Sequence, residues 1–187
     1  MSTIHNINGD LAAATASIEP VDMVPVWVSG SGQSKKVSGA YMKGEAYVAA
    51  GSAVTLSNAS HGGKTVKLDT AAGSTVTLPQ ATGTGAYFKF LVTVLATTNS
   101  HIVKVGNATD VMIGMAIGWR TDSGNATLGF GTSATSDTIT LNRTTTGSVQ
   151  LGEWIEVCDE ASGVFSVRVF GCATGAAYAT PFSAAVS

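Results

Sequence analysis

Tyr87-Phe88-Lys89-Phe90-Leu91-Val92-Thr93-Val94 is the stretch that decides the fold. Phe88, Phe90, Val92 and Val94 recur at every second position. In an extended chain successive side chains point to opposite faces, so these four share one side. A helix would spread them around its circumference. The reading is a strand with one buried face.

The same period runs outward in both directions. Val54 and Leu56, Val66 and Leu68, and Val76 and Leu78 precede it. Val103 and Val105, Ile139 and Leu141, Ile155 and Val157, and Phe165, Val167 and Val169 follow it. The alternate positions are mostly Thr, Ser, Lys and Asp, with Thr138 and Thr140 flanking Ile139. Threonine suits such an outer face, because its branched Cβ favours the pleat and its hydroxyl meets water. Spacers such as Gly62-Gly63, Gly83-Thr84-Gly85, Thr98-Asn99-Ser100 and Ser123-Gly124-Asn125 are turn chemistry.

Trp154–Cys158 and Val164–Arg168 read as a hairpin whose loop is Asp159-Glu160-Ala161-Ser162-Gly163. Ala53-Val54-Thr55-Leu56, Thr75-Val76-Thr77-Leu78 and Thr138-Ile139-Thr140-Leu141 repeat one pattern at irregular spacing, which speaks against a solenoid. Helices have few places to form. Short turns are expected at Asp10–Ser17 and Ser38–Met42. The predicted fold is all-β: a β-sandwich or jelly-roll-like body of about 8 to 11 short antiparallel strands.

Two regions differ in texture. Residues 46–187 form the expected body, and residues 1–45 an N-terminal arm. Within the arm, Asp22-Met23-Val24-Pro25-Val26-Trp27-Val28 is extended and apolar. Ser29-Gly30-Ser31-Gly32 is a turn, and Gln33-Ser34-Lys35-Lys36-Val37 returns as its partner. A lone two-stranded hairpin is marginal in water and gains by docking. Val24, Pro25, Val26, Trp27, Val28, Lys35 and Lys36 are therefore the candidate docking residues, with Trp27 as anchor.

Composition narrows the function. Of the 187 residues 44% are hydrophobic and only 12% charged, against about 25% in a typical chain. Such a surface is either covered in the working state or built from Ser and Thr. The net charge is −2, and Lys35-Lys36 is the one basic pair. Nucleic acid and anionic membranes are poor partners on that balance. No apolar run is long enough to span a bilayer, and no targeting segment is expected. Synthesis in a cytoplasm follows. Cys158 and Cys172 are expected to be reduced and unpaired.

No catalytic constellation stands out. His5, His61 and His101 are far apart in sequence, and no HExxH, GxSxG or P-loop pattern occurs. His101 and His61 read as structural. Glu153, Glu156, Asp159 and Glu160 cluster near the last hairpin and could do glycoside chemistry, but a solvated rim is the simpler reading. Asp110 and Asp122 are isolated, so no calcium site is indicated. No cofactor, metal site or catalytic residue is expected, and the chain reads as non-enzymatic.

One resemblance adds to this. His61-Gly62-Gly63-Lys64-Thr65-Val66-Lys67-Leu68-Asp69 through Leu78-Pro79, then Gly83-Thr84-Gly85-Ala86-Tyr87-Phe88-Lys89-Phe90, resembles a module of tailed-bacteriophage virion proteins. Ser100–Val105 with Asn107–Asp110, the ending Thr174–Phe182, and the arm's Asp22–Val26 with Lys35-Lys36-Val37 are similar to theirs too. The resemblance implies a head decoration, cement or head-fibre protein on the capsid exterior. It implies a homotrimer bound to the major capsid protein or another virion protein. The alternative is a receptor- or glycan-binding module of a tail or head fibre, with Trp119, Tyr87 or Tyr178 lining a sugar site. A weaker one is a polysaccharide hydrolase using Glu153 and Glu156.

Overall fold

Alternation along the sequence becomes two stacked sheets in space. The computed structural model describes residues 23–28, 33–38, 47–122, 126–175 and 177–186. The chain divides into two units, Met1–Glu45 and Ala46–Ser187. In the first, β1 (Met23–Val28) pairs antiparallel with β2 (Gln33–Ser38), Met23 opposite Ser38 and Val28 opposite Gln33. The expected arm hairpin is thus present. The short turn expected at Asp10–Ser17 lies outside the described residues. Ser38 closes β2, and the rest of the turn expected at Ser38–Met42 is likewise outside them.

Among the described residues the second unit is all-β, apart from the single turn α1 (Asn58–His61). Its strands are β3 (Tyr47–Ala49), β4 (Ala53–Thr55), β5 (Thr65–Leu68), β6 (Thr75–Thr77), β7 (Tyr87–Val92), β8 (His101–Lys104) and β9 (Val111–Arg120). They continue as β10 (Thr127–Gly131), β11 (Thr138–Leu141), β12 (Trp154–Ala161), β13 (Val164–Ala173) and β14 (Phe182–Ser183). The seven-stranded sheet has the order β10-β9-β13-β12-β7-β5-β3, and the five-stranded sheet the order β14-β11-β8-β6-β4.

The strands are not uniformly antiparallel. β3, β5 and β7 run parallel in one sheet, and β4, β6 and β8 run parallel in the other. From β3 to β8 the chain therefore alternates sheets, coiling three times with one strand laid in each sheet per coil. The sequence spacing hides this coil because the turns differ in length. The three recurring Thr-rich elements are β4, β6 and β11, and all lie in the five-stranded sheet. Their apolar positions align across it: Val54 opposite Val76, Val76 opposite Val103, and Val103 opposite Ile139.

A matching ladder crosses the larger sheet. Val66 faces Phe90, Phe90 faces Ile155, Ile155 faces Val169, and Val169 faces Ala116. All of these are buried, and with Val76, Val103 and Ile139 they form the core between the sheets. Each large side chain removed from water here contributes roughly 1.5–3 kcal/mol. Val94 departs from the expected inward set. β7 ends at Val92, and the Val94 carbonyl instead accepts a hydrogen bond from His101 Nε2 at 2.9 Å.

Two strands carry no clean alternation and escape a periodicity reading. β9 (VMIGMAIGWR) is apolar on both faces, and three of the five residues of β10 (TLGFG) are glycine or threonine. β9 runs parallel to β13 over ten residues. Gly114 is required there: its φ is 152°, and a Cβ would collide with the Val167 carbonyl. The last hairpin is also tighter than expected. Ala161 pairs with Val164, so Ser162-Gly163 alone makes the turn, and a bulge falls between Asp159 and Ala161.

Candidate functional site: the outer face of the seven-stranded sheet

Pleating puts alternate residues of β7, β12, β13 and β9 on the side away from the core. Three rows result. Tyr87, Cys158, Ser166 and Ile113 are cross-strand neighbours in the first. Lys89, Glu156, Arg168 and Met115 form the second, and Leu91, Trp154, Phe170 and Ile117 the third. Beyond them Trp119 lies beside Phe170, ring centroids 4.9 Å apart, and Trp154 stacks on Phe170 at 5.6 Å. The Lys89 ammonium sits 5.5 Å from the Trp154 ring.

This face is unusually apolar for a surface. Ile113, Met115 and Ile117 are 47%, 57% and 41% exposed. Gly129 and Gly131 of β10 stand opposite Ile117 and Met115, and having no side chains they leave both uncovered. A shallow depression of about 550 Å³ opens among Tyr87, Ile113, Met115, Cys158, Ser166 and Arg168. Its phenol and its thiol both have raised pKa values. Burial and the adjacent Glu156 push the Tyr87 phenol up to about 12. Burial, with Glu160 and Asp159 nearby, raises the Cys158 thiol. A thiol shifted that way is a poor nucleophile.

The acidic residues were expected on a solvated rim, and two of them are not there. Asp159 is 1% exposed and Glu153 3%. Asp159 accepts from the backbone N–H of Thr82, Gly83 and Thr84 at 2.8, 2.7 and 3.0 Å, and from the Thr84 hydroxyl at 2.6 Å. Burial works to raise its pKa, yet these bonds outweigh burial and hold the carboxyl below its ordinary value. Glu153 accepts from the N–H of Ser148, Val149 and Gln150 at 2.8, 2.7 and 2.6 Å. Here burial dominates, and the carboxyl is raised.

Four of the remaining body carboxylates also take backbone N–H groups, and Glu156 and Glu160 pair with side chains. Asp69 takes the N–H of Gly51, Asp110 that of Ala81, and Asp137 those of Ala185 and Val186. Asp122 pairs with Arg120 and takes the N–H of Gly175. Glu156 lies 3.7 Å from Arg168 on the outer face, and Glu160 accepts from the Ser166 hydroxyl. These acids tie loops and neighbouring side chains in place. Among the described residues, no group of three or more His, Cys, Asp or Glu side chains could hold a metal.

Other predicted residues fall as follows. His101 is fully buried; its Nδ1 accepts from the Ser74 N–H at 3.0 Å, and burial lowers its pKa. His61 Nδ1 accepts from the Ser57 N–H. Tyr178, weighed as a sugar contact, is 1% exposed and packs over Gly118 and Gly171, so it cannot line a surface site. Tyr87 and Trp119 do share the outer face. Cys158 and Cys172 are both free, and burial with Glu153 nearby pushes Cys172 up to about 12. Val24, Pro25, Val26, Trp27 and Val28 lie in β1, and Lys35 and Lys36 in β2. The contribution of β9 to the site carries no signal in the sequence, because Ile113, Met115 and Ile117 stand where a polar outer face would mark a strand.

No protein-family model, no curated protein and no solved structure matches this chain.

Proposed function

We propose that the chain is a non-enzymatic structural protein of a tailed-phage virion, a capsid decoration or cement protein that works as a homo-oligomer on the outside of the shell. The observation that carries this reading is the exposed apolar row Ile113, Met115 and Ile117 of β9, continued by Phe170 and Trp154, in a body where most carboxylates take loop N–H groups. Such a surface is suited to contact and offers little for turnover. Exposed apolar patches of this kind mark sites of association. The phage seat and the trimeric number rest on the sequence resemblance alone.

In this reading the body packs against copies of itself and the arm hairpin docks on the major capsid protein. Many copies on one shell need only modest affinity each. The test is co-sedimentation of the full chain with phage heads lacking outer proteins. Val26→Asp with Trp27→Glu should abolish binding and leave the fold intact. Equal binding by that variant would remove the arm from the account.

A second reading is favoured by one observation. Trp119, Phe170 and Trp154 form a continuous aromatic cluster, and Trp119 borders a depression with Arg120, Thr121, Val149 and Gln150. Sugar rings stack on such surfaces, which would suit a host-glycan contact of a fibre. A glycan array on the wild type and on Trp119→Ala separates the readings.

A further inference from the structure

We infer that the open edge of β10 is a self-pairing site, at which two copies join their seven-stranded sheets around a two-fold axis through Gly129. This rests on the self-association proposed above and says how it occurs.

A strand at a sheet edge presents a row of unpaired N–H and C=O groups, and proteins usually blunt such edges by shortness, charge or proline. The other edge strands of the body follow that rule by shortness. β3 and β4 have three residues each and β14 has two. β10 has five, and it stands at the end of its sheet. It contains no proline, and no charged residue occurs between Asp122 and Asp137. Four of its five residues are exposed.

The phase of the ladder fixes which groups look outward. The Thr132 N–H donates to the Gly114 carbonyl at 3.1 Å. The Ala116 carbonyl likewise points toward β10, 3.8 Å from where a Gly129 Cβ would lie. Hydrogen-bonded pairs alternate along an antiparallel ladder, so Leu128 and Phe130 are turned to β9. Thr127, Gly129 and Gly131 therefore aim their backbone groups at the free edge.

Those outward groups are symmetric about Gly129. In an antiparallel pair centred there, Gly129 meets Gly129 of the second copy and Thr127 meets Gly131. Each pair exchanges both of its N–H···O bonds. The same register sets Leu128, 36% exposed, against Phe130 of the other copy on the core-facing side. Gly129 and Gly131 leave the outer side without bulk, and no like charges meet. A second copy thus satisfies the backbone and covers the exposed Leu128 in one step. A two-fold contact yields even-numbered assemblies; a trimer could use it only as a pair of trimers.

The test is sedimentation equilibrium of the full chain and of Gly129→Pro. Proline removes an outward N–H and leaves the β9–β10 ladder bonds in place. The wild type should form a species of even chain number, and the variant should dissociate with a constant raised at least about 100-fold. Leu128→Lys should weaken it in the same direction and serves if the proline variant fails to fold. An assembly of even number unaffected by either variant, or a lone trimer, overturns the edge contact and leaves self-association standing. A wild type that stays single overturns both.

Discussion

Asp159 shows at the residue scale how a buried carboxylate is committed to holding the chain. Its oxygens gather the N–H groups of Thr82, Gly83 and Thr84 into one cradle at the hairpin bulge. Asp159→Asn would turn amide hydrogens toward some of those donors. A loss of about 2–4 kcal/mol in urea unfolding is expected. Gly118 is a second such point: the Tyr178 ring occupies the space a Cβ would need. Gly118→Ala should cost about 1–3 kcal/mol, read as a lower urea midpoint at unchanged slope. Neither residue carries a visible signal in the sequence. An aspartate after Cys158 looks like a rim residue until the bulge turns it inward, and Gly118 looks like any strand glycine until Tyr178, sixty residues later, folds over it.

Buried titratable groups in β8, β12 and the loop before β12 set the pH response at the scale of elements. His101 opens β8 and is held neutral, its pKa lowered chiefly by burial. The unfolded chain takes up that proton first, so the stability His101 confers is lost as pH falls below about 6.5. Asp159 is also lowered, so its contribution is present above about 3.9 and lost as pH falls toward its folded value. Glu153 is raised and runs the opposite way, offsetting part of the acid loss. Urea midpoints measured from pH 8 to 3 should fall in two steps. His101→Gln should lower the starting stability and erase the upper step. An unchanged upper step in that variant would assign it elsewhere.

Strands with one apolar face were legible in advance, and so was the arm hairpin. Val66, Phe90, Ile155 and Ile139 fall where their period puts them. What the period could not show is direction. β4 and β6 look alike whether they run parallel or antiparallel, and only the sheet-to-sheet coil from β3 to β8 decides it. β9 was illegible for a different reason. A central strand whose outward side is Ile113, Met115 and Ile117 has no polar face to alternate with its buried one.

At the scale of the whole molecule, the described residues of the body expose an apolar row on an outer sheet face and, at β10, an edge without charge or proline. Both are costly in a solitary chain and useful in an assembly. Met115→Lys with Ile117→Lys should leave thermal unfolding within about 1 kcal/mol of wild type, since neither side chain is core. The pair should weaken association with copies or shells. The most direct test of the central claim, that this protein acts by fitting against neighbours, is the mass of the full chain in solution from about 1 to 100 µM, a range in which specific interfaces form. The account predicts a discrete multiple of the 18.9 kDa chain. A single 18.9 kDa species across that whole range would contradict it.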